Sequence, residues 1–366
     1  MAITRIGKPA IADVRGVNFR NIIINGDQSI AQRSTSTSSA NTSAYHCTDR
    51  WNNIGMSIGT WTISQSTEVP TGQGFAKSLK YDCTTAEASP SAGDQLHLSQ
   101  RIEGQNLQYL LKGTSSAKSL TLSFWVKTNK TGTYQVNLRD KDNTRIIGKT
   151  YAVSSADTWE KKILTFAGDT TGALDDNNEG SFAIFIWLHA GSTYNSGTLN
   201  TSWNSVTNAN RVDSNNTSFL DSTSRTFFIT GWQMEIGEKA TEFEHESFET
   251  TLRKCQRYYL KRQAGSDYSY WASGHNASTS AARLHQNFPV EMNHIPVLET
   301  SAASTFYVYS VDTVDLSDVP TINNPSVWGS AVTFPTASSG LTAGRGANAI
   351  AKDSAGTAYL AFESEL

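Results

Sequence analysis

Long apolar runs are missing from this sequence: no segment approaches membrane-spanning length, which argues against membrane insertion. Met1 to Asn21 alternates small, apolar and charged residues without the continuous apolar core of a signal peptide, so export by the usual secretory route is not indicated. Charge is scarce too, at 17% of residues with a net of −3, and no long lysine or arginine run appears, so the footprint of a general nucleic-acid binder is absent. The three cysteines, Cys47, Cys83 and Cys255, form no CxxC pair, and an odd count fits no closed disulfide framework; they read as reduced, mostly buried thiols. A zinc site at His46-Cys47 would need two further ligands from distant sequence. Nucleophile elbow, P-loop, dinucleotide fingerprint and HExxH are all lacking, so the sequence points to no catalytic residue and no cofactor.

What is present is serine, threonine, asparagine and 26 glycines spread over 366 residues, enough for two packed units of short strands joined by polar turns. Residues 1–20, with Gly7, Pro9 and Gly16, read as an extended attachment arm. Ile22-Ile23-Ile24 reads as a buried strand stopped by Asn25-Gly26-Asp27, and the tract Ser34 to Ser43 as a surface loop. Leu122, Phe124 and Val126 alternate, a turn follows at Asn129 to Gly132, and Tyr134, Val136 and Leu138 then alternate with Gln135, Asn137 and Arg139, which predicts an amphipathic hairpin. Phe182 to Leu188 is apolar on both parities, as in a central strand covered on both faces. Phe228, Trp232, Met234 and Ile236 share one parity and mark the last strand of this unit. Trp51, Trp61, Trp125 and Trp187 lie in apolar strand patterns and are expected in the core, while Asp49-Arg50 reads as an ion pair pinning the loop into Trp51.

The expected fold is all-β: a jelly-roll-like β-sandwich over 21–245, a short linking helix over 246–262, and a smaller C-terminal β domain over 263–366. In the helix, Phe248, Leu252, Cys255 and Tyr259 recur at helical spacing with Ser247 placed to cap, an apolar stripe suited to packing against its own copies around a three-fold axis.

Three kinds of chemistry have candidate residues. Asp175, Asn177 and Glu179 set oxygen ligands at alternate positions before Gly180, like the first half of a calcium loop, but the carboxylate of the second half is replaced by Ile186, so a polar turn entering a strand is the preferred reading; a calcium ion there would be structural. A glycoside-cleaving pair would be drawn from Glu87, Asp94, Glu103, Asp140 and Asp142, which also read as ordinary surface acids. For sugar binding, aromatic side chains in polar surroundings are the candidates: Tyr268, Tyr270 and Trp271 with Asp267, His275 and Asn276, and Tyr194 and Trp203 in the long polar stretch from Tyr194 to Thr226. The alternative for the first group is a strand with Tyr268 and Tyr270 in the core.

Asn21 to Asp27, Asp49-Arg50-Trp51, Leu98 to Gln105 and Leu120 to Lys127 (LTLSFWVK), followed by Gly231 to Gly237, Ala240 to His245 and Leu252 to Tyr259, resemble in their order a carbohydrate-binding-module-like sandwich of tailed-bacteriophage tail-fibre and receptor-binding proteins. The resemblance covers roughly residues 18–262. It implies a virion component that forms a homotrimer, joins other virion proteins through its N-terminal arm and binds host-surface polysaccharide without catalysis. The rival readings are a purely structural capsid-decoration or tail-collar protein and a polysaccharide-degrading enzyme.

Overall fold

The computed structural model describes residues 20–366 except 57, 88, 267 and 353–356. Of the expected attachment arm only Arg20 falls within them. Strands account for 42% of the chain and helix for 8%, so the fold is all-β.

Twelve strands build the sandwich: β1 (Ser36–Ala40), β2 (Asn52–Met56), β3 (Thr60–Ser66), β4 (Ser78–Thr85), β5 (Gln95–Ile102), β6 (Leu120–Thr128), β7 (Gly132–Asp140), β8 (Arg145–Val153), β9 (Glu160–Phe166), β10 (Phe182–Ala190), β11 (Asn204–Ser205) and β12 (Thr226–Ile236). The first sheet runs β1-β3-β4-β12-β6-β9 and the second β11-β8-β7-β10-β5-β2, every pairing antiparallel. Both sheets end on modest edges: β11 has two residues, and β9 opens with Glu160, Lys161 and Lys162.

The predicted hairpin does not form. β6 pairs with β12 and β9, whereas β7 pairs with β8 and β10, so the turn at 129–131 carries the chain from one sheet to the other. Alternation gave both strands an apolar face, and those faces, Leu122-Phe124-Val126 and Tyr134-Val136-Leu138, belong to one buried core between the sheets. β10 is the central strand expected, flanked by β7 and β5 and buried on both sides. Ile22 and Ile23 are buried and Ile24 is half-buried, but the three form no strand: the amide of Ile22 donates to Met234 and that of Ile24 to the side chain of Gln100.

β12 departs from its expected parity for a definable reason. The register slips between Thr230 and Gln233, where Gly231 takes φ +66°, and a side chain there would strike Phe75 at 2.6 Å. Phe227 and Ile229 face the core before the bulge, Trp232 and Met234 after it. Phe228 therefore lies on the outer face beneath Lys80 and Lys127. Trp232 stacks on Phe124 with ring centroids 4.1 Å apart and lies 5.6 Å from Trp51. Trp51 and Trp61 are core residues as expected, Trp187 is buried on the far side of the second sheet, and Trp125 is half-exposed beside Gly231. All three cysteines are free and buried.

After a single turn, α1 (Ser192–Asn195), within the long loop, the main helix is α2 (Phe248–Gln256). It is shorter than the expected 246–262, because Tyr259 already belongs to β13 (Tyr259–Gln263). The Ser247 hydroxyl accepts from the Thr250 amide at 3.2 Å, so Ser247→Ala should cost about 1 kcal/mol, read as a lower urea midpoint. Of the expected trimer stripe, Cys255 and Tyr259 are buried within the chain, Leu252 is half-buried, and Phe248 stands 64% exposed. The four do not form one free face.

The C-terminal unit adds β14 (Tyr270–Asn276), β15 (Ala281–Asn287), β16 (Val297–Thr300), β17 (Phe306–Tyr309), β18 (Thr313–Asp315), β19 (Thr321–Asn323), β20 (Gly329–Pro335), β21 (Gly346–Ala351) and β22 (Tyr359–Glu363). They form a three-stranded sheet, β13-β22-β16, and a seven-stranded one, β18-β17-β21-β14-β15-β20-β19, around a separate core that includes Leu284, Phe306, Phe334 and Phe362.

Polar contacts join the two units. Arg257 forks onto Glu103 at 2.7 and 2.9 Å, and the Tyr258 hydroxyl donates to the same carboxylate. Arg50, 1% exposed, pairs with Glu365, donates to the Arg101 carbonyl at 2.7 Å and lies 3.4 Å above the Tyr258 ring. Arg33 reaches Glu363 at 3.2 Å and Glu365 at 3.3 Å. The expected Asp49–Arg50 pair is thus replaced: Asp49 accepts from Gln32, and Arg50 turns to the last residues of the chain.

Candidate functional site

Two sheet faces combine aromatic and polar side chains. On the outer face of the second sheet, strand register sets residues in rows: Arg101, Ala183 and Arg139; then Ser99, Phe185 and Asn137; then His97, Trp187 and Gln135. The polar stretch after β10 is folded back over this face. Gln135 and Asn137 donate to the Arg211 carbonyl at 2.6 and 3.0 Å, and Gln135 accepts from the Asp213 amide at 2.7 Å. That tether lays the Arg211 guanidinium 5.1 Å from the Trp187 ring, 5.9 Å from Phe185 and 5.2 Å from Tyr194. His97 is buried between Phe185 and Trp187, and burial, aided by Arg211 and Arg139, pushes it well below the usual histidine range, so it is neutral.

Tyr194 therefore packs on Trp187 in this cluster. Trp203 does not join it: its ring lies against Phe182 and its indole N–H donates to the Ala167 carbonyl at 2.7 Å, on the edge of the main core.

The second face belongs to the seven-stranded sheet. Tyr268 and Tyr270 are 59% and 62% exposed, so they are not core residues; Trp271 packs instead, 4.8 Å from Phe306. Register aligns Tyr307, Ile350 and Tyr270 in one row and Tyr309, Asn348 and Ser273 in the next, with the Ser273 hydroxyl donating to Asn348 at 2.7 Å. His275 is exposed one step further along β14. Asn276 is buried, its amide spent on the Thr342 carbonyl and the Ser310 hydroxyl. Asp267 lies outside the described residues. Tyr307, Tyr309 and Asn348 complete the face and were not foreseen; the alternation of Tyr307 and Tyr309 about the buried Val308 was the available signal.

The remaining candidates are dispersed. Asn177 accepts from the Glu179 amide at 3.0 Å as an Asx turn, Glu179 faces His294 at 3.5 Å, and the Asp175 amide donates to Asp142. Among the described residues no three His, Cys, Asp or Glu side chains gather as a metal site. Of the carboxylates considered for glycoside cleavage, Glu103 is held by Arg257, Asp140 by Lys112, and Asp94 accepts from the Ser91 amide. Glu103 is pulled below the usual carboxylate range by Arg257 and Tyr258 against the effect of burial, the reverse of what a general acid needs.

The class defined by the strand order is a two-sheet, jelly-roll-like sandwich with an appended β unit. No protein-family model and no curated protein matches the sequence. Among solved structures, the enzymatically active domain of bacteriophage CBA120 tailspike protein 4 is similar over 59% of this chain and 21% of its own, at 14% identity and TM-score 0.31. TmCBM61, solved with β-1,4-galactotriose, is similar over 60% of this chain and all of its own (100%), at 10% identity and TM-score 0.29. The family 11 carbohydrate-binding module from Clostridium thermocellum, solved with a mixed-linked tetrasaccharide, covers 58% of this chain and 99% of its own, at 11% identity and TM-score 0.26. The likenesses are loose and carry no functional argument. No helix among the described residues is long and apolar enough to cross a membrane.

Proposed function

We propose that this chain is a non-catalytic glycan-binding component of a virus exterior, a tail fibre or comparable appendage, that attaches to host-surface polysaccharide. The observation that carries the binding role is the open face of the seven-stranded sheet, where Tyr270, Tyr307 and Tyr309 stand beside Ser273, His275 and Asn348. Flat phenol rings offer apolar surface to the C–H faces of a sugar, while the neighbouring amide, hydroxyl and imidazole groups exchange hydrogen bonds with its hydroxyls. Tyr270, Ser273, His275 and Tyr309 are exposed, with Tyr307 and Asn348 half-buried between them, which fits a surface used by a partner, because the unit already has its own core.

The virion assignment, the homotrimer and the docking of residues 1–20 on other virion proteins rest on the sequence resemblance. Several weak sites on one particle would give firm attachment by valency alone. With Cys255 and Tyr259 engaged inside the chain, a trimer seam would have to use surfaces other than the α2 stripe.

The test is retention of the purified chain on an array of host surface polysaccharides, with reducing ends assayed in parallel. Saturable retention without release of reducing ends is expected. Tyr270→Ala with Tyr309→Ala should weaken it about tenfold while leaving the melting temperature unchanged. Release of reducing ends would replace the reading with an enzyme, and absence of retention on every polysaccharide with a structural particle component.

A further inference from the structure

The outer face of the second sheet collects four cations, of which Arg211 lies over aromatic rings and none has a carboxylate partner among the described residues. Arg101 and Arg139 flank Ala183 in a single row, and two strand spacings place their backbones about 10 Å apart with only a methyl group between them. Lys141 continues the β7 side of the row, its amide bonded to the Ser181 carbonyl at 2.8 Å. Arg211 arrives from the tethered loop across Phe185 and Trp187. Among the described residues none of the four makes an ion pair, and the Nε atoms of Arg139 and Arg211 are buried without a hydrogen-bond partner.

These charges act against one another. Burial and then Arg139 pull Arg211 down to about 10, burial and Arg101 lower Arg139, and burial, Arg101 and Arg139 lower Lys141. Asp142 and Glu179 act on Lys141 in the opposite sense, but Asp142 accepts from the Asp175 amide and Glu179 faces His294. In a chain of net charge −3, gathering half-desolvated cations away from carboxylates opposes folding, since neutral side chains would cover Ala183 without repulsion. An arrangement that opposes folding and leaves Arg101 and Arg139 half-exposed at the surface, with Arg211 buried behind them, suits an anion supplied from outside.

We infer that this face binds an acidic glycan, with Arg101 and Arg139 taking anionic groups about one disaccharide apart and Arg211 and Lys141 closing the two ends. The inference rests on the glycan-binding reading, adds a second surface to the tyrosine face and names the chemical class of its ligand. Carboxylate, sulfate and phosphate sugars share the required chemistry.

The experiment is affinity electrophoresis of the full chain in gels containing polygalacturonate, chondroitin sulfate or a glycerol-phosphate polymer, against carboxyl-reduced polygalacturonate and dextran. The wild-type chain should be retarded by at least one acidic polymer, less so as salt rises, and not by the neutral ones. Arg101→Gln with Arg139→Gln should weaken that retention about tenfold or more while the melting temperature holds or rises, since it removes repulsion rather than a contact. Equal retardation by neutral and acidic polymers, or unchanged retention of the double variant, would overturn the inference and leave the glycan-binding reading standing. Retention on none of these polymers or the host array would overturn both. An oligomer of the wild-type chain that the double variant dissolves would assign the cations to a second copy's carboxylates and sink the acidic-glycan assignment.

Discussion

Arg50→Ala should lower the stability of the chain by about 3 kcal/mol, because it takes from the nearly buried Glu365 carboxylate one of its two arginine partners, leaving Arg33 alone, and removes a donor from the Arg101 carbonyl. The Arg50 backbone has φ +73°, a left-handed conformation that costs an ordinary residue about 1–2 kcal/mol and that alanine would share. What holds it there is the guanidinium, wedged over Tyr258 and bonded to residues from both units. Urea unfolding of Arg50→Ala, Glu365→Ala and the double variant would measure the coupling. The double variant should cost less than the sum of the singles, and additive effects would mean that the pair does not hold the units together.

The second large effect concerns pH. Burial pushes the Asp49 carboxyl up to about 6, overcoming the hydrogen bonds from Gln32 that favour its ionised form. The folded chain therefore binds this proton more tightly than the unfolded chain, whose carboxyl titrates near the ordinary value of 3.8. The stabilisation is fully present below about pH 4 and lost as pH rises to about 6, a change of about 3 kcal/mol at 1.36 kcal/mol per unit. Other groups titrate with the opposite sign: His97 and His189 are held below the usual range by burial and destabilise the fold as pH falls. The comparison of wild type with Asp49→Asn cancels them. Asparagine loses one of the two bonds from Gln32 at every pH, a constant offset. Against that offset, wild type should lose about 3 kcal/mol relative to the variant between pH 3 and pH 7. A difference that stays flat across that range would contradict the assignment.

Strand positions were legible because their signals are local: β6 and β7 follow from apolar residues two apart, and β10 from an unbroken apolar run. Sheet membership was not. A short polar turn between two alternating strands reads as a hairpin, and only the presence of an apolar face on each, meeting across the core, distinguishes a crossover between sheets. The parity error in β12 came from treating Gly231 as an ordinary strand residue, when its positive φ resets the alternation. The tyrosine face was half legible, since Tyr268 and Tyr270 stood out while Tyr307 and Tyr309 lie on β17, a separate strand. Arg101, Arg139 and Arg211 were legible only as scattered basic residues; register and the loop tether bring them together. The Arg50–Glu365 pair, separated by 315 residues, leaves no local trace.

The lysines that open β9 and the two-residue length of β11 decide how copies of this protein can meet. Hydrogen-bonding one sandwich to the next along these margins would bury ammonium groups or find too short a ladder, so edge-to-edge polymerisation into fibrillar aggregates is disfavoured there. Crowded copies can then remain distinct particles, free to choose specific side-chain contacts over indiscriminate strand exchange.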